Sequence, residues 1–162
     1  MEADCRQAIF QNSKLQSSFE LNGYVKIKLL SPDELAKLRE TYQQEQFDSP
    51  SGFYSTSFSE DEEAKAQLEK AIDSIVKEKA EKLFHPHKPL GSCYLSKAPG
   101  IQGEMPIHQD WTVIDESKFD SITMWIPLVD VNHHNGALQV IPGSHRFSDV
   151  LRSPSLDNPL SD

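Results

Sequence analysis

The stretch of greatest chemical content runs from Pro106 to Trp111 and holds His108-Gln109-Asp110. In a strand, residues i and i+2 project to the same side. His108 and Asp110 therefore set an imidazole beside a carboxylate, a pair able to take two neighbouring positions on one metal ion. A neutral ring nitrogen with a hard carboxylate oxygen suits a divalent first-row metal such as Fe(II). One more histidine would complete a facial set of two histidines and a carboxylate, leaving the opposite side free for a chelating cosubstrate and O2. The same spacing also serves a histidine simply held by a neighbouring carboxylate, so at this level both readings stand.

The remaining histidines have no companion at ligand spacing. His85 and His87 flank Pro86 in a loop after a helical pattern, and His133 and His134 precede an Asn-Gly turn, so surface roles are expected. His145 closes Pro142-Gly143-Ser144-His145 and reads as a turn residue with a hydrogen-bonding role. The chain has no glycine-rich phosphate loop, no Gly-x-Ser-x-Gly elbow and no Cys-x-x-Cys pair.

The elements that must position this pair change character along the chain. Residues 1–20 are polar with scattered apolar positions and suit a short amphipathic helix, and Asn22-Gly23 is turn chemistry. Residues 24–29 alternate apolar and charged side chains, the pattern of a half-covered strand. Ser31, Pro32 and Glu34 form a capping box with proline at the first helical position, and Leu35, Leu38 and Tyr42 follow at helical spacing. Residues 48–58 read as a loop pinned by Phe53, Tyr54 and Phe58. Ser59 to Glu62 reads as a second capping box, opening a helix to about residue 84 whose apolar face carries Leu68, Ile72, Ile75, Val76 and Leu83. From residue 90 the texture is β: strands are expected at 91–96, 107–113, 122–129 and 137–141, with Asn135-Gly136 as a hairpin turn.

Composition bounds the rest. The 162 residues suit one domain, and 37% hydrophobic with 25% charged residues supports a packed core. Sixteen Lys and Arg against 25 Asp and Glu give a net charge of -9, which argues against general nucleic-acid binding. Cys5 and Cys93 make no disulfide framework. The first residues lack the apolar core of a secretion signal, and no apolar run reaches membrane-spanning length, so a cytoplasmic protein with no membrane partner is expected.

Residues 105–147 resemble the phytanoyl-CoA dioxygenase family of Fe(II)- and 2-oxoglutarate-dependent oxygenases. The resemblance rests on His108-Gln109-Asp110, on MWIPL at 124–128 and above all on NGALQVIPGSH at 135–145. NGYV at 22–25 and LSPDEL at 30–35 are similar to the family's N-terminal strand and helix. The implied fold is α+β, with N-terminal helices packed on a double-stranded β-helix (a jelly roll, cupin-like). The implied activity is hydroxylation of a small-molecule substrate, coupled to decarboxylation of 2-oxoglutarate by O2. The resemblance makes His108 and Asp110 the first two metal ligands and sets Trp125 beside the 2-oxoglutarate site. It brings Tyr94 and Lys97 within reach of the cosubstrate and Trp111 to the substrate side. Halogenating relatives carry a small residue in place of the carboxylate, so Asp110 favours hydroxylation.

The same resemblance places a second histidine ligand and a 2-oxoglutarate-binding arginine on strands after the Pro-Gly-Ser-His turn, and residues 146–162 hold no histidine. The expectation is one incomplete oxygenase domain: 1–89 mainly helical, 90–147 the first part of the jelly roll, 148–162 a polar tail. A fragment of a longer enzyme, a non-catalytic binding module of the same family, and a chain completed by a second chain are all compatible. An incomplete jelly roll would leave strand edges open to self-association.

Overall fold

The computed structural model describes residues 7–44, 52–110, 112, 114–116 and 118–147. The first helix, α1 (Ser13–Asn22), begins where the Asn12 side chain accepts from the N–H groups of Lys14 and Leu15, at 2.9 and 3.1 Å. It ends at Gly23, whose φ of 79° is the left-handed conformation that closes helices, and whose N–H donates to the Phe19 carbonyl at 2.7 Å. The Asn-Gly turn expected here is therefore a helix stop.

The expected strand at 24–29 forms no ladder. Its alternation is used differently: Val25 packs on one apolar cluster and Leu29 on another, while Ile27 stays exposed. Helix α2 (Pro32–Gln44) then starts on the expected capping box. Glu34 Oε2 accepts from the Ser31 N–H at 2.8 Å, and Ser31 Oγ accepts from the Glu34 N–H at 3.3 Å.

Strand β1 (Phe53–Ser55) lies in the stretch expected to be a loop. A partner about 40 residues on in sequence creates it. The expected strand at 91–96 narrows to β2 (Leu95–Lys97), antiparallel to β1 with Phe53 opposite Lys97 and Ser55 opposite Leu95. Bonds from Thr56 N–H to Tyr94 O (2.9 Å) and from Ala98 N–H to Gly52 O (2.7 Å) extend the pairing at both ends. Between the strands, α3 (Glu62–Leu83) begins two residues later than a Ser59 box would place it. Asp61 is its cap, accepting from the Ala64 N–H at 2.9 Å, while Ser59 Oγ accepts from the Asp61 N–H. The Ser59–Glu62 box is thus corrected to an Asp61 cap.

Two apolar clusters lie along α3. One gathers Leu30, Leu38, Leu68 and Tyr94, with Ile72 and Ile75 beside them. The other gathers Phe10, Ala80 and Phe84, with the Phe10 ring 5.4 Å from Phe19 and 5.2 Å from Phe84. Each buried leucine or phenylalanine stabilises by roughly 1.5–3 kcal/mol.

The α+β class stands, but the expected jelly roll is not what the described residues form: they contain one two-stranded sheet. No strand is found at 107–113, 122–129 or 137–141 among the described residues. The physical reason is that a strand is a pairing, and alternation alone supplies no partner: Ile107, Leu138, Val140 and Ile141 stay exposed. At 122–129 the period-2 pattern survives: Met124 packs on the Phe10 cluster, and Ile126 and Leu128 pack on the Leu68 cluster. The Asn135-Gly136 turn does form. Ala137 N–H donates to Asn132 O at 3.1 Å, and the Asn135 side chain binds both Asn132 N–H and Asp130 O.

Helices α2 and α3 are joined by Lys79 Nζ to Glu34 Oε1 at 3.0 Å. The Ser31 backbone N–H first, and Lys79 second, lower the Glu34 carboxyl from its ordinary 4.5 to about 2. A depressed folded-state value contributes stability that is present above pH 4.5 and lost as pH falls through about 2. Denaturant midpoints measured across this window should fall for the native chain. In Glu34→Gln they should start lower and fall less.

Candidate metal site

The segment that carries His108 and Asp110 is set by a close backbone approach. Gly103 is buried, and a Cβ there would stand 2.0 Å from the Ala98 carbonyl oxygen, so only glycine fits. Gly103 N–H donates to Gly100 O at 3.1 Å, closing the 3-10 turn Ile101–Gly103 that follows β2. Beyond the pair, Thr112 is buried and its hydroxyl accepts from the Ile114 N–H at 3.3 Å. Among the described residues of 107–113, the expected strand is absent.

Within this segment the two side chains meet. His108 Nε2 lies 3.3 Å from Asp110 Oδ1. His108 Nδ1 lies 2.6 Å from the Pro106 carbonyl oxygen. A carbonyl only accepts, so Nδ1 carries the proton, and in the neutral ring Nε2 presents its lone pair. That lone pair and the Asp110 carboxylate then face each other as two electron-pair donors. A cation between them, either a proton on the ring or a metal ion, would join the two. Two donors each about 2.1 Å from one ion, at right angles, stand about 3 Å apart. The observed separation fits that arrangement. A backbone carbonyl behind a ligating imidazole is the usual device that fixes tautomer and ring orientation. With side-chain exposures of 38% and 63%, the pair is open to solvent, so a bare His–Asp ion pair contributes little to stability. Among the described residues no group of three His, Cys, Asp or Glu gathers here or elsewhere.

The other expected site residues are placed as follows. Trp125 sits between the inward-facing Met124 and Ile126 and is itself turned outward, 39% exposed. Lys97 ends β2, exposed, and its Cδ lies 3.6 Å from where a Cβ on Gly136 would be, alongside the Asn135-Gly136 turn. Tyr94 is in the core: its hydroxyl donates to Leu38 O at 3.0 Å, and its ring centroid is 5.3 Å from that of Tyr42. Burial pushes the Tyr94 hydroxyl pKa up. Trp111 lies outside the described residues. The structure thus brings His108 and Asp110 together and sets Tyr94 in the helical core.

Two contributors escaped the sequence reading. The Pro106 carbonyl had a signal in the Pro-x-His spacing. Gly103 had none beyond being a glycine, because its role arises from Ala98 across the turn.

The family model for phytanoyl-CoA dioxygenase (PhyH) matches residues 19–159. The chain belongs to the phytanoyl-CoA dioxygenase family. It is similar to phytanoyl-CoA dioxygenase domain-containing protein 1 of Danio rerio, 38% identical over 77 residues, covering 45% of this chain and 26% of that protein. It is also similar to the phytanoyl-CoA dioxygenase of Arabidopsis thaliana, 39% identical over 70 residues, 43% of this chain and 25% of that one. With phytanoyl-CoA dioxygenase 1 of Oryza sativa subsp. japonica it shares 42% identity over 55 residues, 34% of this chain and 20% of that one. The chain spans about a quarter of the length of the curated relatives it matches. No solved structure gives a significant match. Family membership points to an oxygenase-type enzyme family.

Gly103→Ala should destabilise the chain by about 1–3 kcal/mol, the usual cost of overpacking. Denaturant unfolding checks this. The neighbouring Gly100, with nothing within 4 Å of its Cβ position, is the comparison site: at its φ of 81° Gly100→Ala is strained but meets no clash.

Proposed function

We propose that this chain carries the metal-binding part of an Fe(II)- and 2-oxoglutarate-dependent dioxygenase that hydroxylates a small-molecule metabolite. The observation that carries the reading is the His108 ring, its Nδ1 proton held by Pro106 O and its Nε2 turned to Asp110 Oδ1. Membership of the phytanoyl-CoA dioxygenase family supports it.

Bound Fe(II) with 2-oxoglutarate and O2 would supply the coupling of cosubstrate decarboxylation to oxygen insertion into a C–H bond. The chain's own residues hold and orient. His108 would donate through Nε2, and because Pro106 O keeps the proton on Nδ1 the ring would not trade it during turnover. Asp110 would give one negative charge to the dication, a carboxylate oxygen beside the imidazole nitrogen. In this reading Trp125 offers a broad apolar face at the rim of the cosubstrate site. Lys97 offers an exposed cation that attracts a dicarboxylate, and Trp111 borders the substrate. Tyr94, its hydroxyl committed to Leu38 O, would act from behind by fixing the approach to β2. The third metal ligand and the cation for the far carboxylate of 2-oxoglutarate are proposed to come from outside the described residues.

A second reading is a metal-independent binding module of the same family. It draws on the gathering of two, not three, ligand side chains among the described residues. Succinate formation separates the two. In the protein that carries this sequence, succinate should depend on added Fe(II) and 2-oxoglutarate. It should fall by more than about 100-fold in His108→Ala, since even groups behind a ligand change activity 10–100-fold. Equal succinate from native protein and His108→Ala, at the background of metal alone, would sink the enzyme reading and leave the binding module.

A further inference from the structure

The Pro-Gly-Ser-His turn has no part in the metal site, yet it makes the longest-range polar contacts of the described residues. His145 Nε2 is 3.0 Å from the Glu20 carbonyl oxygen, and Arg146 Nη2 donates to the same oxygen at 3.0 Å. Gly143 N–H donates to the Asn22 carbonyl at 2.8 Å. All three reach the last turn of α1 across more than 120 positions of sequence. The fit is close: a Cβ on Gly23 would stand 2.5 Å from His145 Nδ1.

Helix α1 needs such help. It is ten residues long, has no buried residue and carries no basic side chain in its last turn. Isolated helices this short are marginal in water, and the carbonyls at their ends lack partners. Its other end is tied to the end of α3. Gln11 N–H donates to Leu83 O, His85 N–H to Ile9 O, and the Gln11 side chain to both Glu81 O and Phe84 O. The helix is therefore a strap fastened at two points, one at the end of α3 and one at the turn Gly143–Arg146.

We propose that the turn Gly143–Arg146 is a latch for α1: His145 and Arg146 supply from afar the donors and positive charge that the helix lacks at its C-terminal end. When the latch opens, α1 frays from that end while α2 and α3 stay formed. The latch thus sets whether the Phe19 edge of the Phe10 cluster is covered, a local opening below global unfolding in free energy.

Hydrogen exchange resolved by residue tests this. In His145→Ala/Arg146→Ala, the amides of residues 20–23 should exchange about tenfold faster or more, while those of α2 and α3 keep their native rates. Unchanged exchange at 20–23 would overturn the latch, as would an equal rise in all three helices. A double-mutant cycle guards against a general loss of folding. Gly23→Ala is strained by its φ of 79° in any background, but its clash exists only while the His145 ring is present. The thermal shift caused by Gly23→Ala should therefore be smaller in His145→Ala than in the native chain. Additive shifts would contradict the contact on which the latch rests.

Discussion

Both apolar clusters of the described residues are built on the apolar side of α3. Near its start the helix offers Leu68, Ile72 and Ile75 to one cluster, and near its end Ala80, Leu83 and Phe84 to the other. Leu68, 1% exposed, is the point of tightest enclosure, with Leu38 of α2 and Tyr94 before β2 around it. The segment at 122–129 spans both clusters through Met124, Ile126 and Leu128. Its seat exists only while α3 keeps its two halves in line. Polar contacts refine this arrangement: the Tyr94 hydroxyl on Leu38 O and Lys79 on Glu34 fix how α2 lies on α3.

The His–Asp loop answers to a different constraint. It gains little from the core, and both side chains are open to solvent. Its shape comes instead from backbone: the close pass of Gly103 by Ala98, the Pro106 carbonyl behind His108, and buried Thr112 beyond. That separation has a chemical use. As the proposed ligand pair, His108 and Asp110 would keep their orientation without being sealed, open to ions and small molecules from water.

How much of this was readable beforehand depends on whether the cause was local. Helix α2 was legible because Ser31, Pro32, Glu34 and the Leu35–Leu38–Tyr42 spacing all act within one or two turns. Helix α3 is legible by period, but its cap is not: Ser59 and Asp61 can each accept, and the fold gives the role to Asp61. Strand β1 is not legible, because nothing in Phe53-Tyr54-Ser55 announces a partner at Leu95–Lys97. The later expected strands fail for the converse reason. The alternation at 124, 126 and 128 is real and points those side chains inward, but alternation specifies a face and not a ladder. The i, i+2 spacing of His108 and Asp110 argues from a strand, yet the pair meets where the described residues form none, and the proton on Nδ1 depends on where the Pro106 carbonyl turns.

The central claim is that His108 Nε2 and Asp110 Oδ1 act together on one divalent ion. Calorimetric titration with Mn(II), a stable stand-in for Fe(II), tests it in the native chain, in each single alanine variant and in the double variant. The account predicts a loss of about tenfold or more in each single variant. The double variant should lose less than the sum of the two, because one remaining ligand holds the ion poorly. Mn(II) affinity that is the same in all four proteins would contradict it.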